Sequence, residues 1–183
     1  MYEQFKARAL GVGAEVQRFA TGAEAVGFIL SFLQKEEVAA VPGAGAVWAD
    51  SPFLAGLLPA ERPEFPGLSF AVTRALAAQS KIGISQMEWA LADTGSLVQD
   101  QSAVEQRLVS SLTSIHIAII ATGNILEGKQ ALFQRINPST SRYIAFITGP
   151  SRTADIERVL TIGVHGPERL IIVFVDELGG ARA

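Results

Sequence analysis

Two short segments carry the residue types that hold small anions. At 148–153 the chain reads Thr-Gly-Pro-Ser-Arg-Thr, immediately after the apolar stretch Tyr-Ile-Ala-Phe-Ile. Gly149 lets a ligand approach the main chain, Ser151 or Thr153 can cap a helix opening there, and Arg152 offers a planar donor fork to carboxylate or phosphate. The plainer reading is that the hydroxyls only cap, that Arg152 pairs with Asp155 or meets solvent, and that Gly149-Pro150 only shapes the turn. At 93–96, Asp-Thr-Gly-Ser sets a glycine between hydroxyls, so Thr94, Gly95 and Ser96 can form a small anion-binding concavity beside Asp93. An Asp-Thr-Gly string also occurs in aspartic proteases, but that chemistry needs two carboxylates sharing a proton, and the string occurs once.

The two histidines, His116 and His165, are too few for a dedicated metal site without carboxylates, and no metal or cofactor is expected. Both fall at the starts of expected strands, hence on the amino edge of a parallel sheet, opposite the crevice where ligands gather. That placement argues against direct catalysis. A hydrogen-bonded or buried histidine is the plain reading, with proton handling as its rival. The segment Pro-Gly-Ala-Gly-Ala at 42–46 has neither the Lys-Ser/Thr ending of a P-loop nor a dinucleotide Gly-x-Gly-x-x-Gly.

The elements that must position these residues follow from periodicity. A short first helix leads to an edge strand at 14–20, and Thr21 to Glu24 has capping-box spacing. Ala25, Phe28, Ile29, Phe32 and Leu33 then recur at helical intervals. Strands are expected at 38–41, 81–85, 96–99, 114–121, 142–148 and 170–175. Helices are expected at 53–58, 71–79, 87–92, 104–109, 127–136 and 153–162. Runs such as Ile-His-Ile-Ala-Ile-Ile at 115–120 are apolar at nearly every position, as strands covered on both faces must be. The expectation is an α/β fold, a single domain over 1–183 with its core at 68–178 and a less regular 1–67, and a mostly parallel sheet with helices on both faces. Loops at 42–46, 85–86, 121–124 and 148–153 would share the carboxyl edge.

Composition narrows the function classes. Of 183 residues, 49% are apolar and 18% charged, with a net charge of -3, so the basic surface that nucleic acid requires is missing. There is no cysteine, which excludes thiolate metal sites, iron-sulfur ligation and cysteine nucleophiles from these residues. The apolar runs are far below the ~20 residues of a membrane helix, and the N-terminus lacks a leader pattern, so no membrane contact and a cytoplasmic location are expected. High apolar content with few charges points to a homo-oligomer.

Three strings together resemble the LUD domain family, the group of lactate utilization protein C (LutC, YkgG). They are Trp-Ala-Leu-Ala-Asp-Thr-Gly-Ser-Leu-Val at 89–98, Ser111-Leu112 leading to His116, and Ile-Thr-Gly-Pro-Ser-Arg-Thr-Ala-Asp-Ile-Glu at 147–157 followed by Gly-Val-His-Gly-Pro at 163–167. The similarity runs from Leu76 to Asp176. It implies a fold like that of the NagB, RpiA and CoA-transferase group. It also implies a role in oxidising L-lactate to pyruvate with iron-sulfur partner proteins, and makes Asp93, His116, Glu157 and His165 family-motif residues. The sequence departs from the family where Ser111-Leu-Thr-Ser replaces the usual Ser-Leu-Leu-Pro, and part of a longer helical N-terminus is lacking. It also lacks the Glu-centred signature of CoA transferases, so their covalent mechanism is not carried over and no catalytic residue is assigned. The expectation is a component of lactate oxidation that binds a small anionic ligand through Thr94 to Ser96 and Gly149 to Thr153. The alternative is a stand-alone enzyme of the isomerase or CoA-transferase type, or a nucleotide-binding protein, with Asp93 or Glu157 as acid or base.

Overall fold

The two most apolar runs of the chain lie side by side in the sheet that organises the molecule. The computed structural model describes residues 1–57, 63–137, 139–140, 143–154 and 160–178. Its helices are α1 (Tyr2–Gly11), α2 (Gly22–Lys35), α3 (Pro52–Gly56), α4 (Arg74–Ala78), α5 (Val104–Leu112) and α6 (Lys129–Phe133). Its strands are β1 (Glu15–Phe19), β2 (Gly45–Trp48), β3 (Leu68–Ser69), β4 (Ser80–Gln86), β5 (Trp89–Leu91), β6 (Ser96–Asp100), β7 (Ile115–Ala121), β8 (Ile125–Leu126), β9 (Ile144–Ile147), β10 (Arg152–Ala154), β11 (Leu160–Ile162) and β12 (Arg169–Val175).

Among the described residues, six strands pair in the order β1-β12-β7-β4-β2-β3, every neighbour parallel. Alternation along each strand divides the interior in two. Ile117, Ile171 and Val173 face α2, where they pack with Ile29 and Leu33. Ala118, Ile120, Ile172 and Phe174 face the other way, onto Phe5 and Ala9 of α1 and onto Ala90 and Leu97. The fold is α/β with a mostly parallel sheet, as the sequence leads one to expect. The expected cap at Thr21 is present: its side chain accepts from Glu24 N, and Glu24 reaches back to the N-cap backbone.

Residues 87–92 form no helix. They contain β5, which starts a second sheet of order β8-β5-β6-β9, joined to β6 and through it to β9 by antiparallel pairs. The strand wins because its residues are all buried and divide by period two: Trp89 and Leu91 pack with Leu132, while Ala90 packs against the first sheet. Gly95, at φ +69°, then turns the chain into β6. The strands at 96–99 and 142–148 therefore belong to this second sheet.

The described residues of 153–162, where a helix is expected, are strand instead. Strands β10 and β11 pair as an antiparallel hairpin, and the residues between them lie outside those described. Neither Ser151 nor Thr153 caps a helix among the described residues. Ser151 N instead donates to Pro167 O, and Gly163 N donates to Ser151 O, so this turn is satisfied by the turn that precedes β12. The strand expected at 38–41 is replaced by β2, which starts at Gly45, so the 42–46 loop leads into a strand rather than out of one. The short helix expected at 53–58 is α3, capped by the Ser51 side chain. No helix among the described residues is long and apolar enough to cross a membrane.

Candidate functional site

Strands β7 and β12 begin side by side, with His116 opposite Leu170, and Glu168 N donates to Ser114 O at 2.7 Å, tying the starts of both strands together. Above them meet the end of α5, the exit from β9 and the Gly163–Pro167 turn. They enclose a cleft of about 260 Å³ lined on its polar side by Ser110, Ser111, His116, Thr148, Ser151 and His165. Phe146, Ile147, Pro167 and Leu170 supply its apolar side. A shallower extension of about 300 Å³ shares Ser111, His165 and Gly166 with it.

This arrangement corrects the expected division of edges. The histidines do lie at the amino ends of β7 and β12, but the 148–153 turn lies there with them. It follows β9, which belongs to the second sheet and pairs antiparallel to β6, so its exit does not lie on the carboxyl edge of the six-stranded sheet. The 42–46 loop is also on the amino edge. Of the four loops expected to share the carboxyl edge, 85–86 and 121–124 leave the ends of β4 and β7.

His116 is completely buried, and its Nε2 lies 2.8 Å from the Oγ of Ser85, itself fully buried on β4. The Nδ1 atom has no hydrogen-bond partner among the described residues. Burial pushes the imidazole pKa down to about 4, so the ring is neutral at pH 7. His165 is exposed at the rim. Among the described residues that line the cleft, none is Asp, Glu, Lys or Arg. One cation approaches its apolar wall, where Lys129 Nζ sits 5.5 Å over the Phe146 ring. Nothing in the sequence marks Ser110 or Phe146 as site residues. The one available signal for Ser85 is a lone hydroxyl in the otherwise apolar stretch Ile-Gly-Ile-Ser at 82–85.

The 93–96 turn, expected to bind the ligand, does not line the cleft; it reaches the cleft residue Thr148 from behind, through Ser96. Ser96 Oγ lies 2.7 Å from Thr148 Oγ1 and donates to Thr94 Oγ1 at 2.8 Å, and Thr94 donates to Asp93 Oδ1 at 3.2 Å. Because the Ser96 proton is committed toward Thr94, Thr148 is the donor to Ser96, which leaves the Thr148 oxygen with acceptor capacity. The glycines have another neighbour. A Cβ on Gly95 would stand 2.5 Å from Ala9 N, and one on Gly149 2.5 Å from Val12 O, so both turns press on the end of α1. Arg152 donates to the Val12 carbonyl there and does not line the cleft. Thr153 is half-buried in β10. The Asp93 carboxylate packs against Gly128, which precedes α6. Glu157 lies outside the described residues.

These segments fall within residues 2–175, which match the family model described as LUD domain. A protein from an Exiguobacterium species named lactate utilization protein C is 35% identical over 112 residues, 58% of this chain and 49% of that protein. The Bacillus subtilis protein of the same name is 35% identical over 107 residues, covering 55% and 45%. A protein of Escherichia coli called uncharacterized protein YkgG is 29% identical over 107 residues, covering 55% and 46%. The aligned region thus spans about half the length of these curated relatives. A crystal structure of a DUF162 family protein from Deinococcus radiodurans has the same fold, with a TM-score of 0.63, 19% identity and 95% of each chain covered.

Proposed function

The chain belongs to the LUD domain family, and from that membership we propose that it is a LutC-like, cytoplasmic component of L-lactate utilization whose cleft between α5, β9 and β12 binds a small anionic ligand. The observation that supports this is the convergence of three segments from two of the motif strings, Ser111 to His116, Thr148 to Ser151 and Gly163 to Pro167, on one cleft. Hydroxyls and the neutral His116 line it, with an apolar wall on the other side. A short monoanion with a small hydrocarbon part suits that lining better than a polyanionic phosphate, whose charge would be desolvated without a counter-charge.

Oxidation of L-lactate to pyruvate releases two electrons, and no cysteine among these 183 residues can hold a cluster to accept them. In the proposed system they pass to iron-sulfur partner proteins. The exposed side chains of Leu112, Phe146, Ile162 and Val164 around the cleft support contact with another protein chain there.

Deleting the gene in the source organism is expected to abolish growth on L-lactate while sparing growth on pyruvate. Wild-type chain restores that growth; Ser111→Trp, which places a bulky ring at the cleft wall, does not. Normal growth of the deletion strain on L-lactate overturns the proposal. In thermal-shift titrations, L-lactate or pyruvate is expected to stabilise the purified protein, and stabilisation by acetyl-CoA, a sugar phosphate or a nucleotide instead would favour the enzyme alternative.

A further inference from the structure

The floor of the cleft holds a buried imidazole with one satisfied and one unsatisfied nitrogen, and counting donors against acceptors assigns the proton. Ser85 Oγ meets His116 Nε2 at 2.8 Å and makes no other side-chain hydrogen bond among the described residues. A buried hydroxyl has one proton to donate. If Ser85 donates it to Nε2, the ring proton sits on Nδ1, and a single group is left without a partner. If Nε2 carries the proton instead, both the Ser85 hydroxyl proton and the Nδ1 lone pair are buried unpaired. The first arrangement strands fewer groups. It leaves Nδ1–H as a buried donor without an acceptor among the described residues, on a residue that the cleft reaches.

We propose that His116 Nδ1–H is the ligand-binding donor at the floor of this cleft, that it takes a carboxylate oxygen of a short monocarboxylic acid, and that Ser85 is the positioning residue that holds the ring in this tautomer. The proposal rests on the reading of the cleft as a small-anion site and names the atom that recognises the anion. Leu170, adjacent on the floor, provides an apolar contact for a short hydrocarbon end. Ser85 itself is not among the residues that line the cleft, and its Oγ is engaged by Nε2 of the ring.

Side-chain nitrogen spectra of uniformly ¹⁵N-labelled, ligand-free protein read the tautomer. Nδ1 is expected at the protonated shift and Nε2 at the unprotonated one; the reverse overturns the proposal whatever binds. On titration with L-lactate or pyruvate the Nδ1–H resonance is expected to move and saturate, whereas 1,2-propanediol, which lacks the carboxylate, leaves it in place. His116→Ala is expected to weaken binding of these acids about tenfold or more. His116→Asn, whose amide nitrogen can occupy the place of Nδ1, is expected to stay within about threefold of wild type. Circular dichroism checks that each variant folds, and the wild-type spectra decide the matter if the alanine variant does not. Saturable binding that leaves the ring signals unmoved, or that is equally weak in both variants, overturns this assignment while the small-anion reading of the cleft survives. Failure of wild type to bind either acid overturns that reading and the assignment together.

Discussion

A histidine buried among neutral neighbours takes its protonation state from desolvation, and His116 shows the consequence for stability. Burial is the one cause that lowers its pKa, from 6.5 to about 4. Between those values the unfolded chain binds a proton that the native ring refuses, so stability falls as the pH drops from about 6.5 toward 4 and is fully present above that range. A lowering of that size corresponds to about 3 kcal/mol. Urea midpoints measured from pH 7.5 to 4.5 are expected to fall in wild type and to show a shallower decline in His116→Asn, because the substituted side chain does not titrate. Parallel declines in the two proteins would mean that another group drives the pH dependence. Glu36 acts lower on the scale: Lys81 at 2.8 Å and Arg169 at 2.6 Å hold its carboxyl below the usual range, so its contribution is lost only as the pH falls further.

At the scale of elements, local chemistry decided some starts and stops, and competition for burial decided others. Thr21 and Glu24 satisfy each other's backbone donors at the start of α2, a signal contained in four residues. Thr21→Ala is expected to cost about 1 kcal/mol, read as a lower urea midpoint with unchanged slope. An unchanged midpoint would mean that water serves the freed donors equally well. The sequence at 87–92 contains no comparable signal. Trp-Ala-Leu suits a helix or a buried strand equally, and the pairing of β5 with β6 and β8 settles it as a strand. At 152–154 and 160–162 the hairpin takes residues that a helix could also use. Short elements carry too few periods to reveal themselves, whereas β7 and β12, apolar over nearly all of their seven residues each, admit one reading.

For the molecule as a whole, α1 does more than cover part of one face of the sheet. Phe5 is fully buried and meets Phe174 edge to face at 5.2 Å. The turns at Gly95 and Gly149 both rest on backbone at the end of this helix. Phe5→Ala is expected to cost about 3–5 kcal/mol in urea unfolding. It should also speed amide exchange at 93–96 and 148–151 more than in the strands that α2 covers. Uniform acceleration across the molecule would show that α1 supports the fold without specifically supporting the cleft wall.

Composition, the long apolar strands and the capped α2 are properties of neighbours along the chain, so the α/β class could be read before any coordinates, and the strings at 148–153 and 163–167 could be picked out as motifs. Which edge those strings occupy could not. It depends on β9 joining β6 in a second sheet, and on residues far apart in the chain, Ser85 with His116 and Ser96 with Thr148, coming within hydrogen-bond distance. Such pairings come from the packing of two sheets and α1 against one another, and spacing along a single strand contains no record of that packing.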